Sequence, residues 1–110
     1  MKGAADMLAA AFARYGAEAV IVRRDGSREA VRAFIQPLLR ETVAEPFEAD
    51  VLGAADTQAW RYLGAAETPL RRGERVEWDG RSFVARSAEA IRVGDEVTHY
   101  EAMLQEEAVQ

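Results

Sequence analysis

The chain has 110 residues, a formal net charge of −5, one histidine and no cysteine. This length suits a single domain, which we expect to span residues 1–110. The lack of cysteine excludes disulfides and cysteine-ligated zinc sites, and it fits a reducing cytoplasm. The apolar run at the N-terminus is too short for a secretion signal or a bilayer span, so we expect no membrane partner.

The first predicted element is an α-helix over residues 3–15. Leu8, Phe12 and Tyr15 recur at helical spacing and form one apolar face. Gly16 follows them and is predicted to end the helix. We expect this helix to pack on one face of the remaining structure or to close one end of it.

A β-hairpin is predicted next, over residues 17–36. Two runs rich in β-branched and small apolar residues flank the turn Asp25–Ser27, which contains a glycine. Pro37 has no amide hydrogen to donate, so the second strand should end there or reach a sheet edge.

The segment 41–58 concentrates the acidity of the chain. It carries five acidic residues and no Lys or Arg, and the 19 acidic residues of the whole chain exceed the 14 basic ones by the same five. Pro46 and Gly53 interrupt it, so a loop is expected. Two interpretations remain open: a solvated loop kept soluble by like charge, or an acidic surface turned toward something that must not adhere, such as DNA.

A β-meander is predicted over residues 59–105. Short alternating runs are separated by turn signals, of which Asp79-Gly80 is the strongest, because glycine tolerates the positive φ of a two-residue hairpin turn. With the first hairpin this gives about six or seven antiparallel strands. The predicted fold is mainly β: a small barrel or sandwich with one N-terminal helix.

Residues that could carry catalysis are scarce. His99 is the only histidine, and no nucleophile motif or phosphate-binding glycine pattern occurs. We therefore predict that the protein is not an enzyme, with no catalytic residue, no metal site and no cofactor.

Two kinds of interaction remain possible. An OB- or SH3-like nucleic-acid-binding module could use Trp60, Tyr62 and Trp78 for stacking, together with arginines near the Asp-Gly turn. Those arginines are Arg71, Arg72, Arg75, Arg81 and Arg86. The negative net charge argues against this, and core aromatics with solvated or Glu-paired arginines are the favoured interpretation. Alternatively, Trp60, Tyr62 and Leu63 could form a subunit interface, whereas Trp78 is expected in the core.

The order of several short motifs resembles a known group of proteins. The helix ends in ARYG (13–16), and the first hairpin carries RAFIQPL (32–38). RYLGAAETPL (61–70), GERV (73–76), DGRSFVARSAE (79–89) and THYEAML (98–104) follow. Together they resemble small β-rich proteins from the structural operons of tailed phages and prophages.

This resemblance implies a non-enzymatic virion protein of the phage neck or tail, such as a head–tail connector, a stopper or a tail-completion protein. Proteins of this kind are similar to β-barrels that are monomeric when free and become rings on docking. The implied partners are other neck and tail proteins (portal, connector or tail tube), with DNA only as passing cargo. The implied location is the virion, after synthesis in the host bacterial cytoplasm. In such a ring we expect Glu45, Glu48 and Asp50 to line or rim an acidic lumen.

Overall fold

The computed structural model describes residues 3–38 and 59–107. In this part of the chain the elements are α1 (Ala4–Tyr15), β1 (Ala17–Val22), β2 (Arg28–Pro37), β3 (Ala59–Ala65), β4 (Arg75–Trp78), β5 (Arg81–Val93) and β6 (Glu96–Glu106). The strands are antiparallel and close into a barrel in the order β1-β2-β3-β6-β5-β4. The prediction of a mainly-β small barrel or sandwich with an N-terminal helix is therefore confirmed, and the architecture is a barrel.

Both hairpin turns that the sequence marked are present. Strands β1 and β2 pair from Ala17 with Ala33 to Val22 with Arg28, and the Asp25 carboxylate accepts a 2.8 Å hydrogen bond from the amide of Ser27 inside the turn. Between β4 and β5, Asp79 and Gly80 have φ values of 56° and 74°. Two successive positive φ angles are typical of a type I′ turn, whose twist matches that of the flanking strands.

The predicted meander over 59–105 is correct for β4, β5 and β6 and wrong for β3. Strand β3 pairs with β2 on one side and with β6 on the other, while β4 pairs with β1. The last strand thus lies between β3 and β5. Alternation and turn signals report which residues form strands, but the closure of the barrel decides which strands become neighbours.

Helix α1 packs across β6, β3 and β2. Phe12 is its buried residue, with its ring centroid 5.1 Å from that of Phe34 on β2. The amide of Gly16 donates to the carbonyl of Phe12 at 2.8 Å and closes the helix. Tyr15 departs from the predicted apolar face: it is 69% exposed. The guanidinium of Arg14 lies 5.5 Å from its ring centroid.

The barrel interior is filled by side chains from all six strands, together with Leu70 from the β3–β4 connection. The largest of the fully buried ones are Tyr62, Phe83, Ile21, Leu70, Leu104 and Val76. Their burial provides the main favourable free energy of folding, because apolar surface is removed from water.

Beyond the pairing of Ile91 with His99, strands β5 and β6 extend past the rest of the barrel as a two-stranded ribbon. The two strands stay paired from Phe83 with Glu106 to Val93 with Glu96, whereas β4 follows β5 only as far as Val84 and β3 follows β6 only as far as His99. Register shifts occur between Ala85 and Ser87 and between Ile91 and Arg92. Such irregularities bend and twist a strand, and the second of them lies where the two-stranded ribbon begins.

Candidate functional site

The predicted interface residues lie on β3 but do not share a surface. Trp60 and Tyr62 point into the barrel, with 8% and 0% of their surface exposed, respectively. Leu63 belongs to the opposite face of the strand, opposite Phe34 on β2 and Glu101 on β6, and is half-buried. The expectation of an exposed Trp60–Tyr62 contact surface is therefore corrected. The closed barrel uses these two aromatic rings as core, and only Leu63 keeps surface for a partner.

Trp60 belongs to a cluster of three aromatic residues near the β4–β5 turn. Its ring centroid lies 5.8 Å from that of Trp78 and 5.4 Å from that of Phe83, in edge-to-face arrangements that aromatic pairs favour. The guanidinium of Arg81 lies 5.1 Å from the Trp60 ring centroid. Trp78 packs against the core but is only half-buried, because it stands at the end of β4, next to the turn.

A groove of about 940 Å³ opens beside Trp78. Helix α1, the β1–β2 pair, the β3–β4 connection and the β4–β5 turn form its walls. Much of its lining is apolar and includes Phe12, Ala19 and Val31. Charges of both signs also line it: Arg32, Arg81, Glu18, Glu67, Glu77 and Asp79. The apolar part of such a lining can hold an apolar group.

Tyr62 carries an unusual polar group in the core. In the described part of the chain, neither its hydroxyl nor the indole nitrogen of Trp60 has a hydrogen-bond partner. The hydroxyl lies over Gly64, where a side-chain Cβ would approach it to 2.6 Å. Burial raises the pKa of Tyr62 to about 12. The phenol is therefore neutral at physiological pH and does not serve as a base there.

The opposite end of the barrel from the β4–β5 turn is closed by a partly buried ionic cluster around Arg23. The guanidinium donates to the carboxylate of Glu74 at 2.8 Å and to the carbonyl of Pro69 at 2.6 Å, and it forms an ion pair with Glu29. Burial acts to lower the pKa of Arg23, but the hydrogen bonds to Glu29 and Glu74 outweigh it and raise the pKa. Glu74 is 5% exposed and also accepts the amide of Arg71. This cluster ties two turns together and has a structural role.

Three of the five arginines proposed for a nucleic-acid surface are bonded to neighbouring side chains. Arg75 donates to Glu107 at 2.9 Å, and Arg81 lies 3.9 Å from Glu106. Arg86 donates to the side-chain carbonyl of Gln105 at 2.5 Å. The hydrogen bond from Arg75 lowers the pKa of Glu107, so this pair remains charged at neutral pH. Arg71 and Arg72 are exposed in the turn before β4.

His99 contacts the neighbouring residue Thr98 on β6. It is half-buried on β6, and its Nδ1 lies 2.9 Å from the hydroxyl of Thr98, which donates to the carbonyl of Ile91 at 3.2 Å. Within residues 3–38 and 59–107, no group of three or more His, Cys, Asp or Glu residues could hold a metal ion.

The predicted acidic residues Glu45, Glu48 and Asp50 lie outside the described residues. Among the helices that are described, none is both long and apolar enough to cross a membrane. Comparison with known proteins returned no matching family model, no matching curated protein and no matching solved structure.

Proposed function

We propose that this chain is a non-enzymatic structural protein of a tailed-phage or prophage virion, which joins or closes the head–tail channel by assembling into a ring. The observation that carries the proposal is the closed barrel with helix α1 packed on β2, β3 and β6. The resemblance of the sequence to neck and tail proteins implied a small β-barrel behind a helix of this kind.

The distribution of polar groups supports a role in assembly. Arg23 binds Glu29 of β2 and Glu74 of the β3–β4 connection, and Arg28 of β2 forms an ion pair with Glu77 of β4 across the intervening β1. Within the described residues, these ion pairs thus connect parts of the barrel that are distant in sequence. Connections of this kind suit a protein that acts through its shape.

The nucleic-acid alternative has one observation in its favour. Arg24, Arg71 and Arg72 are exposed at one end of the barrel, where Arg24 donates to the carbonyl of Arg72 at 2.7 Å. Against it, Trp60 and Tyr62 are buried, and stacking on bases requires exposed aromatic faces. Strong, salt-dependent binding of single-stranded or duplex DNA by the purified protein would favour this alternative.

The experiment that tests the proposal is deletion of the gene from the phage or inducible prophage that encodes it. Particles are then viewed by negative-stain electron microscopy, with a strain complemented by the wild-type gene as the control. We expect separated heads and tails, or heads that have lost their DNA, and rescue by the wild-type gene. Intact, infectious particles from the deletion strain would overturn the assignment to the neck.

A further inference from the structure

We propose that the outer edge of β5, from Ser87 to Val93, pairs with the same edge of a second copy of this chain. The two edges run antiparallel about a two-fold axis at Ala90, so that two free molecules share one continuous sheet. This inference concerns the free protein, for which the resemblance implied a monomer, and it does not depend on the proposed function.

The edge has no partner strand within the described residues. Along the edge of β5 that faces away from β6, backbone hydrogen bonds to the rest of the barrel extend as far as Ala85. The amide and carbonyl of Ala85 bond to Glu74 and Gly73, respectively. Beyond that point the recorded strand pairing of β5 is with β6 alone. An unpaired strand edge carries a row of free amides and carbonyls and is a template for another strand.

The backbone of this edge has a defined orientation. The hydroxyl of Thr98 on β6 donates to the carbonyl of Ile91, so that carbonyl faces β6. Because successive residues of a strand direct their backbone groups to opposite edges, Ala88, Ala90 and Arg92 direct theirs outward. An antiparallel pairing centred on Ala90 places Ala90 opposite its copy and Ala88 opposite Arg92. Every outward-facing residue of the edge then has an outward-facing partner.

The side chains are compatible with this register. Glu89 would lie opposite Ile91, and Arg92 opposite Ala88, so no like charges face each other across the axis. A shift of the centre to Glu89 or to Arg92 would place two identical charges in contact, which destabilises a cross-strand pair. Ala88 and Ala90 have small side chains, which favours close approach of the two β5 edges, and no proline interrupts the edge.

A contact of this kind is closed after two copies. The same residues serve both partners, so pairing about a two-fold axis ends at a dimer and does not propagate. A head-to-tail ring would have to use a different surface. Failure of the edge pairing therefore leaves the result of the gene deletion unaffected, and the two proposals can be overturned separately.

Because the chain contains no cysteine, a single introduced cysteine can be cross-linked selectively, and this tests the proposed pairing. Ala90→Cys is made in the otherwise cysteine-free chain and treated with a short bifunctional thiol reagent, and the products are separated on a denaturing gel. We expect a covalent dimer, because residues opposite each other in a hydrogen-bonded antiparallel pair have Cα atoms about 5.5 Å apart. Circular dichroism confirms that each variant retains the fold.

Ser87→Cys is the matched control on the same edge. In the proposed register its copy lies six positions away along the strand, about 20 Å, so this variant should remain monomeric on the gel. The double variant Ser87→Cys/Val93→Cys should cross-link, because these two positions lie opposite each other. Equal cross-linking of Ser87→Cys and Ala90→Cys would indicate random collision and would overturn the proposed register.

The mass of the unmodified protein gives a second test. Light scattering should show a dimer for the wild type and a monomer for Ala90→Pro, which removes an outward amide hydrogen while the amides facing β6 remain. A wild type that is monomeric at all concentrations measured would overturn the proposal, as would a dimer that Ala90→Pro leaves intact.

Discussion

The guanidinium of Arg23 donates a 2.8 Å hydrogen bond to the carboxylate of Glu74, across 51 positions of sequence. The side chains are 17% and 6% exposed, respectively. The pair therefore lies in a poorly hydrated environment. The attraction between the two charges there has to compensate for the hydration that both have lost.

Glu74→Ala should destabilise the fold by about 3 kcal/mol, because removing one partner leaves the other charge buried with less compensation. The residual contacts of Arg23 with Glu29 and Pro69 keep the loss from being larger. Chemical denaturation measures the change. The matched control is Glu18→Ala, which removes an ion pair whose carboxylate is 84% exposed and should change stability by less than about 1 kcal/mol. Equal effects of the two substitutions would contradict a special role for the buried pair.

Tyr62→Phe should leave the free energy of unfolding unchanged or raise it by about 1 kcal/mol. The hydroxyl is buried and unpartnered in the described part of the chain, so its removal deletes a desolvation cost without breaking a bond. Thermal and urea unfolding of both proteins provide the comparison. A loss of stability near 2 kcal/mol would mean that the hydroxyl has a partner, such as an internal water.

Tyr62 also predicts how stability depends on alkaline pH. Its pKa is about 12 in the folded protein and 10.0 in an unperturbed tyrosine. The unfolded chain therefore loses this proton first, and the stabilisation, complete below pH 10, is lost as the pH rises from 10 to about 12. The unfolding free energy of the wild type should fall more steeply in this range than that of Tyr62→Phe. Parallel curves for the two proteins would refute the assignment.

Gly64→Ala should destabilise the barrel by about 1–3 kcal/mol through overpacking. A Cβ at this position would lie 2.6 Å from the Tyr62 hydroxyl and 2.7 Å from a ring carbon. The cost should shrink when Tyr62 is replaced by Leu, because the shorter side chain leaves room for the added methyl group. A double-mutant cycle measures this coupling, and additive effects would show that the ring is not the obstacle.

Glu89 and Glu101 are opposite each other in the β5–β6 pairing, and Arg61 forms an ion pair with Glu101 from the other side. Glu89→Lys should stabilise the fold by about 0.5 kcal/mol, since it replaces a like-charge pair by an attractive one. Glu89→Gln, which only removes the repulsion, should give a smaller gain. Both gains in the free energy of unfolding should decrease at high ionic strength. A gain that is independent of salt concentration would indicate a cause other than charge.

The sequence predicted the elements well where local chemistry decides them. The Asp79-Gly80 turn needs two positive φ angles, and glycine provides one of them at no steric cost. The helix ends at Gly16, where a Cβ would lie 2.6 Å from the Phe12 carbonyl oxygen. Signals of this kind depend on residues close in sequence, so they can be read from the chain alone.

Burial on β3 could not be assigned in the same way. Alternation places Trp60 and Tyr62 on one face of the strand, but it does not say which face becomes the interior. Barrel closure, with β6 beside β3, settles that choice through contacts distant in sequence. Trp78 shares a face with the buried Val76, and its position at the end of a short strand leaves it half-exposed, which the pattern did not indicate.

The filled interior of the barrel also limits what a single copy can do. Tyr62, Phe83 and Leu104 occupy the space that the six strands enclose, so nothing as wide as a nucleic acid can thread through one molecule. Any passage for DNA would have to be bounded by the outer surfaces of several copies. The width of such a passage would then depend on the number of copies around it. Its surface charge would depend on the residues that each copy directs toward the passage.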